Sequence, residues 1–294
     1  MVIGYTTGVF DMFHIGHLNI LRRAKEQCDF LIVGVSTDEL VEHEKNKTPI
    51  IPFEHRCQII EAIRYVDQVV PQYDKNKLGA WQQLHYDKMF VGSDWQGTPQ
   101  WKMFEEQLNP LGVEIVYLSH TDGISSSILR DKITPRCGQV GKIGYTQGTF
   151  DMFHVGHLNL LRQAKEQCSI LIVGVNADTL VEEYKHHKPI IGENERAKIL
   201  QAIRYVDNVV ICDTLDKMKM HNWLHFDAIF IGNDWEGNAR WRQTEIDLQR
   251  LDASVVYLKH TAGVSSTLLR EKKAESSEEK DSCMARDTWG CFVT

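Results

Sequence analysis

No apolar run in this chain is long enough to cross a membrane; the longest, at residues 30–35 and 170–175, fall far short of the roughly 20 residues a spanning helix needs. Nor is there an excess of basic charge. Lys+Arg 33 against Asp+Glu 40 gives a formal net charge of −7, which argues against a general nucleic-acid binder, whose affinity rests on a basic face. A few lysines and arginines focused in a cleft can still hold a small anion. No basic-then-apolar leader stands before the strand-like Val2-Ile3-Gly4-Tyr5-Thr6, and the seven cysteines are odd in number, so reduced thiols and a cytoplasmic setting are expected. The remaining composition, 43% hydrophobic and 25% charged, is that of an ordinary globular protein.

What the sequence does contain is itself, twice. Gly8-Val9-Phe10-Asp11-Met12-Phe13-His14-Ile15-Gly16-His17 returns 140 residues later as Gly148-Thr149-Phe150-Asp151-Met152-Phe153-His154-Val155-Gly156-His157. The offset holds without insertion or deletion from Gly4 to Arg130: Arg56 maps to Arg196, Arg64 to Arg204, Asp94 to Asp234 and His120 to His260. A repeat of this length is a whole domain and not a solenoid unit. The expected organisation is a first copy over 1–133, a linker over 134–142 rich in helix breakers, a second copy over 143–270, and a charged tail over 271–294 without apolar period.

Within a copy, residues 3–6 read as a strand, followed by a Gly-rich turn and then by Leu18, Leu21 and Ala24, with Cys28 a turn further on, at helical spacing. Residues 30–35 are a continuous apolar run, the signature of a strand buried on both faces. The polar stretch 42–49 reads as a mobile loop, 53–64 as a helix with Ile59, Ile60 and Ile63 inward, and Val69-Val70, 89–91 and 113–117 as further strands. Strands alternating with helices predict an α/β fold: two tandem Rossmann-like domains, each a doubly wound parallel sheet flanked by helices.

His14 and His17 then lie just past the first strand, at the start of a helix, where unpaired N–H groups and the positive dipole end favour a phosphate. Gly8 and Gly16 allow a close backbone approach, and two imidazoles there can donate to oxygens whose charge grows during attack at phosphorus. A single His-X-X-His is more often structural, or part of a metal site, but neither copy supplies a clear third and fourth zinc ligand. Its recurrence with both glycines and the Phe-Asp pair favours the phosphate reading.

Gly-X-Phe-Asp-X-X-His-X-Gly-His resembles the signature of the cytidylyltransferase-type nucleotidyltransferases, and the resemblance covers nearly all of each copy. It includes Ile63-Arg64-Tyr65-Val66-Asp67, Gly92-Ser93-Asp94-Trp95-Gln96-Gly97 and Thr121-Asp122-Gly123-Ile124-Ser125-Ser126, with their counterparts. The chain is most similar to the glycerol-3-phosphate branch. The resemblance implies that the acceptor's phosphate attacks the α-phosphorus of CTP, with Mg²⁺ held mainly by the triphosphate. The catalytic residues it implies are His14, His17, His154 and His157, with Lys45 and Lys185 bridging the two anions. The nucleotide would be bound by Gly8, Val9, Phe10, Asp11, Gly16, Lys47, Arg64, Asp94, His120, Thr121, Gly123, Ser125 and Ser126 in the first copy. In the second it would be bound by Gly148, Thr149, Phe150, Asp151, Gly156, Arg204, Asp234, His260, Thr261, Gly263, Ser265 and Ser266. Two departures from the family stand out: His120 and His260 replace an arginine, and Val9 replaces a threonine.

The implied partners are CTP and a small phosphorylated alcohol. Glycerol 3-phosphate is the first expectation, and the alternatives are ethanolamine phosphate, in an enzyme of phospholipid biosynthesis, or a non-catalytic nucleotide-binding regulator. The copies are expected to pack as an intrachain pseudo-dimer. The terminal Cys291-Phe292-Val293-Thr294 has the shape of a prenylation signal, though with an unusual last residue, and a single lipid there would give only weak membrane association.

Overall fold

The structure, a computed structural model, describes residues 1–46, 48–119, 142–259 and 261. In the first copy, β1 (Ile3–Gly8), α1 (Ile15–Lys25), β2 (Phe30–Ser36), α2 (Asp38–Lys45) and α3 (Phe53–Glu61) follow one another. They are succeeded by β3 (Gln68–Gln72), α4 (Lys77–Leu84), β4 (Lys88–Gly92), α5 (Pro99–Leu108) and β5 (Glu114–Leu118). The second copy repeats this order as β6 (Ile143–Gly148), α6 (Val155–Lys165), β7 (Ile170–Asn176), α7 (Asp178–Lys185) and α8 (Glu193–Ala202). Then come β8 (Asn208–Cys212), α9 (Lys217–Leu224), β9 (Ala228–Gly232), α10 (Ala239–Gln249) and β10 (Ser254–Leu258).

Each copy forms one five-stranded sheet, ordered β3-β2-β1-β4-β5 and β8-β7-β6-β9-β10, with every pairing parallel. The doubly wound expectation holds. The apolar run of β2 lies near the sheet centre with Leu31, Val33 and Val35 fully buried. Helix α1 turns Leu18, Leu21 and Ala24 inward and carries Arg22, Arg23 and Lys25 in its last turn, where the dipole favours cations. Chain order reverses between β1 and β4, so a crevice opens at their carboxyl ends, the usual ligand position in such sheets.

Two elements differ from expectation. The stretch read as a loop over 42–49 is helical up to Lys45: the Thr37 hydroxyl accepts from Leu40 N, Asp38 and Glu39 occupy the first turn, and Asn46 closes the helix in the left-handed region. Helix α3 stops at Glu61 and not at 64, because the chain beyond it is spent on the other copy. Ile63 and Ile203 form an antiparallel bridge, with Arg64 N donating to Ala202 O and Arg204 N to Ala62 O, each at 2.9 Å. The Arg64 guanidinium reaches across to the carbonyls of Ile203 (3.2 Å) and Val206 (3.0 Å), and Arg204 reciprocates towards Val66 (3.3 Å). Ile63 and Ile203, both fully buried, belong to one continuous core drawn from the two copies, and α1 packs on α8 as α3 packs on α6. The copies are therefore joined as an intrachain pseudo-dimer. The linker (apart from Lys142) and the tail lie outside the described residues, and no helix among the described residues is long and apolar enough to cross a membrane.

Candidate active site

The loop after β1 is held in a conformation its residues would not choose. Phe10 (φ 55°) and Met12 (φ 47°) sit in the left-handed region, as do Phe150 (52°) and Met152 (50°), at a cost of about 1–3 kcal/mol each for a side chain of this kind. Two devices impose it. The Asp11 carboxylate accepts from Ile50 N (3.0 Å) and Ile51 N (2.9 Å), and Asp151 does the same with Ile190 and Ile191. Arg56, fully buried, donates to the carbonyls of Val9, Ser36 (2.8 Å) and Ile51 (3.0 Å) and pairs with Asp38; Arg196 repeats the tie.

The strained turn delivers His14 to the N-cap of α1, where its Nδ1 accepts from Gly16 N at 3.0 Å. A Cβ on Gly16 would lie 2.9–3.0 Å from the His14 ring, so glycine is required by contact. Because Nδ1 is the acceptor, the neutral ring carries its proton on Nε2, a donor on the side away from the helix. His17 stacks on His14 with ring centroids 3.7 Å apart and packs against Phe10 and Phe13; its Nδ1 is buried without a partner. Burial first, and the neighbouring His14 second, pull the His17 pKa down to about 3. His14 is also lowered by burial, opposed by the carboxylate of Glu195, which the second copy contributes. His154 and His157 repeat the stack at 3.8 Å, and His157 falls well below its usual value through burial, with His154 and Lys185 adding to the effect. His14, His17 and His157 are therefore neutral near pH 7, where an imidazole can still donate an N–H. No acidic residue occupies the first turn of α1 or α6, which leaves the positive dipole end unopposed.

Beside this motif the first copy opens a cavity of about 300 Å³ between the ends of β1, β2 and β4. Gly8 and Val9 line it, together with Thr7, Glu44, Lys75 and Lys77 on one side and Trp95, Trp101 and Phe104 on the other. Lys77 is buried, its ammonium 3.1 Å from the Thr7 hydroxyl, and burial lowers its pKa to about 8.

The structure thus brings together Gly8, Val9, Phe10, Asp11, His14, Gly16 and His17, and likewise Gly148, Thr149, Phe150, Asp151, His154, Gly156 and His157. Lys185 stands near enough to act on His157, whereas Lys45 ends α2 with a side chain that is not among those described. Asp94 and Asp234 occupy the single helical turn after β4 and β9, beside the exposed Trp95 and Trp235. Arg64 and Arg204 are used at the seam between the copies. Thr261 accepts from Asn159 of α6 at 3.0 Å. Lys47, His120, Thr121, Gly123, Ser125, Ser126, His260, Gly263, Ser265 and Ser266 lie outside the described residues. Arg56, Arg196 and the cavity lysine Lys77 carry no local sequence signal of their role; each is marked only by its recurrence at the same place in the other copy.

Comparison with known proteins agrees with this geometry. The family described as cytidylyltransferase-like matches residues 5–132 and again 145–272. The chain is 32% identical over 239 residues to a probable ethanolamine-phosphate cytidylyltransferase of Encephalitozoon cuniculi, covering 70% of this chain and 74% of that protein. It is 29% identical over 320 residues to the ethanolamine-phosphate cytidylyltransferase of Dictyostelium discoideum, covering 90% of this chain and 88% of the relative. The glycerol-3-phosphate cytidylyltransferase of Bacillus subtilis is 38% identical over 135 residues, 44% of this chain and 94% of that protein.

Proposed function

The chain belongs to the cytidylyltransferase-like family and is a nucleotidyltransferase; from that premise we propose that it transfers CMP from CTP to ethanolamine phosphate, forming CDP-ethanolamine and pyrophosphate for phospholipid biosynthesis. The observation that carries the reading is the chemistry of the first-copy cavity. Lys77 suits the acceptor's phosphate, while the indole faces of Trp95 and Trp101, with the Glu44 carboxylate that pairs with Lys75, suit a primary ammonium group. Glycerol 3-phosphate, the first expectation, has no cation for those groups to recognise. The relatives that span both copies support the same choice, since they are ethanolamine-phosphate enzymes, whereas the glycerol-3-phosphate relative matches one copy.

In this reading an acceptor phosphate oxygen attacks the α-phosphorus, one P–O bond forms, and the bond to pyrophosphate breaks. His14 Nε2–H and the His17 ring donate to the non-bridging oxygens as their charge grows, and the N-terminal amides of α1 add their dipole. Lys45 and Lys47 would bridge the two anions. Mg²⁺ fits as a cation carried by the triphosphate: each Asp11 oxygen already takes a backbone N–H, and among the described residues no group of three His, Cys, Asp or Glu gathers around a metal position. Bound there, it would neutralise charge on the phosphates. The test is pyrophosphate release with CTP and a panel of ethanolamine phosphate, glycerol 3-phosphate and phosphocholine. The highest kcat/KM is expected with ethanolamine phosphate; preference for glycerol 3-phosphate, or no turnover with any of them, overturns the reading.

A further inference from the structure

The two copies share the phosphate-facing motif but differ in the space beside it. In the first copy the cavity is bounded by Thr7, Ser36 and Glu44, and it stands open. The equivalent positions in the second copy carry Gln147, Asn176 and Tyr184, each longer or bulkier than its counterpart. These three side chains are bonded to one another and to the groups that would otherwise face an acceptor. Gln147 Nε2 donates to Asn176 Oδ1 and to the Thr214 carbonyl, both at 2.8 Å, while its Oε1 accepts from Lys217 Nζ at 2.6 Å. Lys217 is the counterpart of Lys77: the ammonium that meets the short Thr7 hydroxyl at 3.1 Å in one copy is held by the longer Gln147 amide in the other. The Tyr184 hydroxyl accepts from Asn176 Nδ2 and meets Thr149 Oγ1, each at 3.0 Å, which ties the ring to the end of β7 and to the motif loop, with Lys185 Nζ 5.7 Å from the ring centre.

We propose that Gln147, Asn176 and Tyr184 close the second acceptor cavity, so that each chain has one productive site, in the first copy, which the second copy completes from across the seam. The motif histidines agree with this asymmetry: His14 is exposed, whereas His154 is only 5% exposed. Glu195, the second-copy residue whose charge acts on His14, has His55 as its counterpart, so this position carries a carboxylate in one copy and an imidazole in the other. An intact His-X-Gly-His is thus not sufficient for turnover, because attack also needs an acceptor held in line beside it.

The proposal rests on the acceptor reading above, and equilibrium binding of radiolabelled CDP-ethanolamine to the full chain separates the two. This product needs both the nucleotide and the acceptor spaces. One bound molecule per chain is expected, and two overturn the closure. No binding, together with no turnover of ethanolamine phosphate, defeats the acceptor reading and not the closure, which is then measured with whichever CDP-alcohol the chain makes. H14A/H17A should reduce pyrophosphate release at least 50-fold; retention of about half the rate overturns the proposal. Q147T/N176S/Y184E should raise stoichiometry from one to two, with the first-copy site reporting that the chain has folded. Stoichiometry that stays at one overturns the role of these three residues, and Y184A, with the same readout, serves if the triple variant does not fold.

Discussion

Replacing Arg56 with methionine should destabilise the first copy and slacken its motif loop together. The guanidinium is fully buried and serves four acceptors: the carbonyls of Val9, Ser36 and Ile51 and the carboxylate of Asp38. Methionine retains much of the volume but donates to none of them. Removing one partner of a buried ion pair costs about 3–5 kcal/mol, and we expect roughly 3, the lower end, because the carboxylate can regain water. The Asp38 side chain is 31% exposed, which is why that end of the range applies. With a urea slope of about 2 kcal/mol/M, the midpoint should fall by about 1.5 M. R56K, which keeps the charge but loses the planar fork, should fall between the two. The assay is urea unfolding followed by circular dichroism, with pyrophosphate release measured in the same preparations. A shift below about 0.5 M with unchanged kcat would refute the argument that this arginine holds the strained turn.

Gly16→Ala should reduce kcat about 10²-fold with little loss of stability, since the added methyl displaces His14 from its position over α1 and misplacement by an ångström is costly; unchanged kcat would show that His14 has room to move. The KM for the acceptor should rise between pH 7 and 9, because Lys77 is charged below about 8 and its attraction for the phosphate is lost as pH climbs through that value. K77M should show a high KM without that slope, and the same slope in K77M would reassign the titration. Arg64→Ala removes two donors to the opposite copy and should lower Tm by several degrees, read by calorimetry. An unchanged Tm with a raised KM for CTP would instead return Arg64 to the phosphates.

The parts of this molecule legible in the sequence were those set by local periodicity or by repetition. The run at 30–35 marks β2 to within a residue, and the spacing of Leu18, Leu21 and Ala24 marks the inward face of α1, which ends at Lys25 short of Cys28. Helix α2 was hidden because it buries little and its exposed face is as polar as a loop; only the Thr37 cap and the acidic first turn announce it. Helix α5 carries a readable stripe of Trp101, Phe104 and Leu108 behind Pro99. Arg56 recurs as Arg196, but nothing local distinguishes a buried arginine from a solvated one. The carbonyls that Arg64 reaches were not legible, because they lie about 140 residues away, across a seam that no window of sequence contains. The histidine pair was legible as two rings set close together at the start of a helix, but the cavity beside it is bounded by side chains at positions 7, 36 and 44, which meet only once β1, β2 and α2 converge.

The bridge between Ile63 and Ile203 has a further consequence, which concerns mass action and heredity. Two separate chains meeting through such a seam would be subject to dilution, and every substitution would appear on both sides of the dyad at once. Joined in one polypeptide, the halves hold each other at an effective concentration fixed by geometry, whatever the amount of protein in the cell. Each half is also encoded separately. A glutamine at position 147 leaves the threonine at position 7 untouched, and Glu195 can face a histidine without a second glutamate arising at position 55. Covalent fusion thereby frees the pair from symmetry, and one half can become the fixed support of the other.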